Sequence, residues 1–383
     1  MTKLDELIQE LCPDGVKYKA LGEICKLVTG ATPSKTNAAY WENGTIPWMS
    51  SGEVNLKRVA ATEKKITQLG YEKNSTTIVP KHSVVIALAG QGKTRGKAAI
   101  TEIELCTNQS LCSMICNENL DYKFLYYILD GKYEELRAIS NGDGTRGGLS
   151  LKILAPYKIP VPPLPVQREI VRILDNFTEL TAELTAELTA ELTARKKQYE
   201  FYRDELLFRN VNIPKMAIGT VCNPHYGKGN KIPQNGGDYP VYGCKGIVGN
   251  TDTFNSEDAP IVGHIGSAGS VTWGAGKHFV TYNGTICTPN KELVLSRYLY
   301  HILVSIKLEN KVKGNQPFLS TSDFSGIEIP VPSLDVQERL VQVLDNFDAI
   351  CTDLSSGLPA EIEARQKQYE YYRDKLLTFT PAD

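Results

Sequence analysis

The strongest enzyme-like signal in the chain is Ala87-Leu88-Ala89-Gly90-Gln91-Gly92-Lys93-Thr94, which closes the apolar run from Val84 and satisfies a relaxed phosphate-loop pattern. Such a loop cradles phosphates with backbone amides, and it needs a helix N-terminus directly after the Lys-Thr pair. Here Arg95-Gly96-Lys97-Ala98-Ala99-Ile100 follows instead, a glycine and then strand-like residues, and no later apolar run ends in a magnesium-binding aspartate. A nucleotide hydrolase using Lys93 and Thr94 is therefore the weaker reading. The stronger is that the glycines let backbone approach DNA closely, with Gly92, Lys93, Thr94, Arg95 and Lys97 at the contact. The second half has Gly266-Ser267-Ala268-Gly269-Ser270 at the matching place, without the lysine, which makes Ser267 and Ser270 its candidates. Two further loops, 141–148 and 313–316, offer Thr145 and Arg146, and Asn315 and Gln316. Arg and Gln in such loops suit bidentate base readout.

Other chemistry finds little footing. There is no Asn/Asp-Pro-Pro-aromatic motif of an adenine methyltransferase, and the five histidines sit in unrelated contexts without a paired nucleophile. Cys106, Cys112 and Cys116 lie close together, but no CxxC pair or nearby histidine completes a zinc set, so no metal site is expected. Nine cysteines, an odd number, follow an acidic amphipathic start that is no secretory signal. Free thiols in a reducing cytoplasm are the reading. No apolar run has the length to cross a bilayer. The net charge of −2 hides a partition: residues 12–158 hold 19 Lys+Arg against 14 Asp+Glu, and residues 209–328 hold 11 against 8. Acidity is concentrated in what connects two mildly basic blocks, a distribution that suits DNA binding.

The elements that must carry these residues are written twice. IPVPPLPVQREIVRILDNF at 159–177 returns as IPVPSLDVQERLVQVLDNF at 329–347, and KKQYEFYRDELL at 196–207 returns as QKQYEYYRDKLL at 366–377. Both matches share one offset of 170 residues. Fainter echoes precede them, Ala20-Leu21-Gly22 with Ala217-Ile218-Gly219, and Val84-Val85-Ile86-Ala87 with Ile261-Val262-Gly263-His264. The order is therefore variable domain, connector, variable domain, connector. Each connector opens with an extended Ile-Pro-Val-Pro and enters a helix with apolar residues at 3–4 spacing. The first runs through Thr-Ala-Glu-Leu, repeated at 181–184, 185–188 and 189–192, which aligns Leu180, Leu184, Leu188 and Leu192. The second fills the same interval with Ile350, Leu354, Leu358 and Ile362 around Gly357 and Pro359. Two uncovered stripes of equal length are expected to bury each other as an antiparallel pair.

The duplicated blocks and the tandem Thr-Ala-Glu-Leu repeats resemble the specificity subunits of type I restriction-modification systems, the IC class in particular. Gly30-Ala31-Thr32-Pro33-Ser34, Tyr40-Trp41-Glu42-Asn43-Gly44 and Ile46-Pro47-Trp48 look like a common opening of that family's target recognition domains. They add Thr32, Ser34, Lys35 and Trp48 to the candidate DNA contacts; Lys228, Lys231 and Lys245 join from the second half. The resemblance implies an α+β protein with two α/β target recognition domains in a pseudo-twofold arrangement, separated by two long antiparallel, coiled-coil-like spacer helices. The segments would be an N-terminal stretch 1–20, domains 21–158 and 209–328, and spacers 159–208 and 329–383. Each domain would read one half of a bipartite, asymmetric double-stranded DNA site. The helices would set the unread gap and dock two modification subunits, which carry S-adenosylmethionine, while restriction subunits use ATP and Mg2+. The chain itself would hold no cofactor and catalyse nothing. One added repeat would lengthen a helix by about 6 Å.

Overall fold

The computed structural model describes residues 2–382 apart from 91–93, 141–147, 210–211, 230–235, 313–317 and 353–356. The chain divides into two compact units, residues 1–184 with 364–383, and residues 185–363.

In the first unit a five-stranded sheet runs in the order Cys25–Thr29, Leu111–Cys116, Val84–Ala87, Ala98–Thr101, Arg58–Val59. Its pairings are antiparallel except the last. Side chains alternate across a strand, so Val84 and Ile86 face helix Tyr122–Gly131 while Val85 and Ala87 face Met49, Val54 and Leu105. Both faces are covered, and that is why Val-Val-Ile-Ala is apolar without a break. A smaller sheet of Lys64–Ile66, Ile46–Met49 and Cys106–Thr107 stands beside it.

In the second unit six strands follow the order Cys222–Tyr226, Gly284–Pro289, Ser256–Gly263, Val271–Val280, Tyr239–Gly243, Gly246–Thr251. Helix Ser296–Ser305 packs on this sheet through Tyr298, Leu299, Ile302 and Leu303. The duplication is therefore one of architecture as well as of words.

Each variable domain is closed at its base by the same device. Tyr18–Ala20 pairs antiparallel with Lys158–Pro160, and Lys215–Ala217 pairs with Glu328–Pro330. The proline-bounded strands then deliver the chain into the connector helices, whose first residues are Leu164 and Leu334. Three residues into each helix stands a glutamine with no exposed surface. The amide of Gln167 donates to Asn119 O (2.9 Å) and Pro162 O (2.7 Å), and its carbonyl accepts from Asp121 N (2.8 Å). Gln337 repeats this with Leu293 O (2.9 Å), Pro332 O (2.8 Å) and Leu295 N (2.9 Å). Both clamps tie the connector to the loop that opens the domain's packing helix.

The first connector is one helix, Leu164–Phe208, of 45 residues. The second comprises Leu334–Thr352 and Leu358–Leu376, with Pro359 in the first turn of the latter, where its missing N–H costs nothing. Antiparallel contacts are seen within each unit. In the first, Phe177 packs near Tyr372 (5.9 Å) and the hydroxyls of Thr178 and Tyr369 are 3.0 Å apart. In the second, Phe347 stacks with Tyr199 and Tyr202.

The expected leucine stripe needs correction at one end. Leu188 is 8 % exposed and Leu184 and Leu192 are half-buried, but Leu180 is 62 % exposed. A step of four residues turns an α-helix by about 40° beyond a full revolution. Leu188 faces inward, its neighbours lie that angle to either side, and Leu180 is twice as far round. On the second connector Ile350 is exposed, because the buried seam follows Leu344 and Cys351. Leu358 and Ile362 are half-buried, and Leu354 lies outside the described residues.

Candidate nucleic-acid interface

In the first unit, Thr32, Lys35 and Trp48 line a single cleft of about 790 Å³ with Trp41, Lys64, Lys65, Asn108 and Gln109. The cleft exists because two chain segments pass at backbone contact. A Cβ on Gly30 would lie 1.7 Å from the carbonyl oxygen of Thr107. Ser34 stays exposed at the rim, where its carbonyl accepts the indole N–H of Trp41 at 3.0 Å. Lys35, Lys64 and Lys65 are all exposed, against Glu63 alone among the lining acids, so the cleft carries a positive excess.

Trp48 is not a surface contact. It is 4 % exposed, meets Trp41 edge-to-face at 5.1 Å and donates its indole N–H to Ala31 O at 2.9 Å. Its bulk fills the small sheet's core, and its polar edge holds the loop that carries Thr32. Asn108 and Gln109 were missed from sequence. Their signal is a polar Asn-Gln-Ser turn entering an apolar strand. The side-chain carbonyl of Asn108 accepts from Ser110 N (3.0 Å), and the Thr32 hydroxyl donates to the side-chain carbonyl of Gln109.

The strands on either side of the phosphate-loop pattern pair antiparallel. Ile86 pairs with Ala98, Gly96 N donates to Ala87 O (2.9 Å), and strand rather than helix follows. Thr94 is buried, its hydroxyl bonded to Ala89 O (3.2 Å), so it presents nothing outward. Arg95 is half-buried. Lys97 donates to the side-chain carbonyl of Asn55 (2.8 Å) and lines a separate cleft, of about 350 Å³, that also takes in Arg373. The structure thus separates Lys97 from Thr32 and Lys35. Gly92, Lys93, Thr145, Arg146, Lys231, Asn315 and Gln316 lie outside the described residues.

In the second unit Lys245, Ser267 and Ser270 meet around a cleft of about 380 Å³. Ser270 is spent internally, its one hydroxyl proton shared between Cys244 O and Ser267 O (2.7 Å). Gly269 at φ +87° makes this turn possible, since a Cβ there would stand 2.3 Å from Glu309 N. Lys245 is exposed at the tip of the hairpin joining Tyr239–Gly243 to Gly246–Thr251. Lys228, also exposed, is not at this cleft. Its backbone N–H reaches Val280 O (3.0 Å), which sets it beside an aromatic group that sequence reasoning missed. There His264, buried, lies tilted against Tyr226 at 4.2 Å and meets Tyr282 at 5.4 Å and Phe318 at 5.9 Å. Burial pushes the His264 pKa down, so the ring is neutral near pH 7.

In each unit a charged anchor joins domain to connector. Asp175 accepts from Lys123 (2.6 Å) and from the Tyr127 hydroxyl (2.7 Å). Asp345 accepts from Arg297 Nε (3.0 Å) and from Nε2 of His301 (2.6 Å), whose Nδ1 faces the Tyr199 hydroxyl at 3.1 Å. Burial takes the His301 pKa down to about 4, which outweighs the pull of Asp345. The ring is a neutral donor to the carboxylate and acceptor from Tyr199. Burial alone would raise the Asp345 pKa; Arg297 and His301 together hold it below the ordinary value.

The model of the type I restriction modification DNA specificity domain matches residues 13–194 and again 210–364. The chain belongs to that family. Among relatives, it is 35% identical over 195 residues to the Escherichia coli EcoR124I/EcoR124II specificity subunit, a match spanning about half of each chain (50% of this one, 48% of the other). It is 29% identical over 369 residues to the Escherichia coli EcoprrI specificity subunit, covering 89% of both. A solved chain from work on assembly and conformational transition of the type I R-M system superposes with a TM-score of 0.72 at 15% identity, over 95% of this chain and 98% of that one. In this type I specificity chain the two family matches each take in one sheet domain and part of a connector helix, and because strand Ala98–Thr101 rather than a helix follows the phosphate-loop pattern, the nucleotide-hydrolase alternative has no support.

Proposed function

We propose that this chain selects DNA sequence for a methylating and restricting assembly and leaves the chemistry to other subunits. Domain 21–158 reads one half of a bipartite site and domain 209–328 the other. The paired connectors 159–208 and 329–383 fix the gap and dock two modification subunits, with restriction and translocation subunits joining them. S-adenosylmethionine, ATP and Mg2+ belong to those partners, and the place of action is the cytoplasm. The observation that carries this reading is the duplicated mounting. Gln167 and Gln337 make the same three hydrogen bonds, yet the domains they hold present a lysine-rich amide cleft in one case and an aromatic cluster in the other. Identical mounts with unlike faces are what two readers of different half-sites require. The family match and the positive excess of the first cleft support it as well.

Methylome sequencing of cells expressing the chain with its partners tests the reading. Replacing residues 21–158 by the corresponding domain of another family member is expected to change one half-site and leave the other intact. Changes in both half-sites, or in neither, count against it.

A further inference from the structure

The strand registers let the two domains be compared position by position. In the first, Ala87 pairs with Leu111, Leu88 N donates to Ser110 O and Leu111 N donates to Asn108 O. In the second, Gly263 pairs with Gly284, His264 N donates to Asn283 O and Gly284 N donates to Thr281 O. The turns 108–111 and 281–284 are therefore the same turn, and Gln109 and Tyr282 occupy its same exposed apex. The segment beside it is equivalent too. Gly30 and Gly227 both press against the strand that enters the turn, each so close that a Cβ would collide with backbone.

What the two domains share here is scaffold; what differs is the chemistry offered to solvent. Gln109 presents an amide, steadied by the Thr32 hydroxyl and set among exposed lysines. Tyr282 presents an aromatic ring, 44 % exposed and steadied by Tyr226 at 5.7 Å and His264. Lys228 lies beside it through the hydrogen bond from Tyr282 N to Gly229 O.

Resting on the function proposed above, we infer that Gln109 and Tyr282 are the corresponding specificity-determining residues of the two half-sites. A glutamine amide matches the donor and acceptor pair on the major-groove edge of adenine, whereas an exposed ring matches the methyl group of thymine. The lysines near each position meet phosphates and set register without choosing sequence.

The test uses the assembled complex and duplexes carrying the site returned by methylome sequencing, with every base pair substituted in turn. Gln109→Ala is expected to erase a preference of about tenfold at one A·T pair of one half-site, leaving other positions unchanged. Tyr282→Ala is expected to do the same in the opposite half-site. There, deoxyuridine in place of thymidine should weaken binding by the unaltered chain and have no effect on the variant. An unchanged preference profile, a uniform loss at all positions, or indifference to the thymine methyl overturns the inference. Absence of any bipartite preference in the unaltered chain would instead remove the proposed function itself.

Discussion

At the scale of single residues the molecule is held by side chains that bridge domain and connector. Removing Gln167 leaves Asp121 N, Asn119 O and Pro162 O without their partner in a buried setting, where each orphaned group costs about 1–3 kcal/mol. Gln167→Ala is therefore expected to destabilise its unit by about 3 kcal/mol, and Gln337→Ala the other by a similar amount; urea unfolding measures both. Acid should act unevenly. His264, His278 and His301 are all held neutral by burial in the second unit. For His301, with a folded pKa of about 4 against an ordinary 6.5, the unfolded chain takes up a proton that the folded chain refuses. Stability is complete above about pH 6.5 and falls as pH drops toward 4, by at most about 3 kcal/mol for this residue. The equivalent anchor in the first unit is Tyr127, which stays neutral across that range. Hydrogen exchange at pH 5 should show the second unit opening first, and His301→Tyr should narrow the difference. An equal loss in both units would show that these histidines do not govern acid sensitivity.

At the scale of elements, periodicity carries some information in full and some only in part. The repeated Ile-Pro-Val-Pro blocks announce matched strands and helix starts, and both form at matched positions. Four leucines at a spacing of four suggest one stripe, yet the stripe winds, so Leu188 is covered and Leu180 is not. Leu188→Ala is expected to cost about 2–3 kcal/mol and Leu180→Ala under about 0.5; thermal melts of the two variants decide this. Trp48 was readable as important but not as internal, because burial of a tryptophan depends on Trp41 and Ala31 arriving from elsewhere in the chain. Asn108 and Gln109 were hidden for the converse reason. A polar turn is unremarkable until the segment at Gly30 is laid against it. The aromatic group around His264 likewise comes from four separate stretches, and its members stand at no common spacing.

At the scale of the whole molecule, the prediction concerns the repeats. Deleting residues 185–188 removes one Thr-Ala-Glu-Leu and shortens the helix by about 6 Å. The methylated site is expected to keep both half-sequences and lose one or two base pairs between them, since duplex rises about 3.4 Å per pair. Methylome sequencing reads this directly, and altered half-site letters would contradict the role given to the helix.

The two-stranded ribbon at the base of each domain also bears on how the chain folds. Tyr18–Ala20 can meet Lys158–Pro160 only after everything from residue 21 to 157 has brought its ends together, and the loop-closure entropy must be met before the ribbon returns any stability. The connector helix, made of local contacts, has no such wait. The expected order in time is helix early, domain next and ribbon last, so that the ribbon fastens a domain only once its two ends have met.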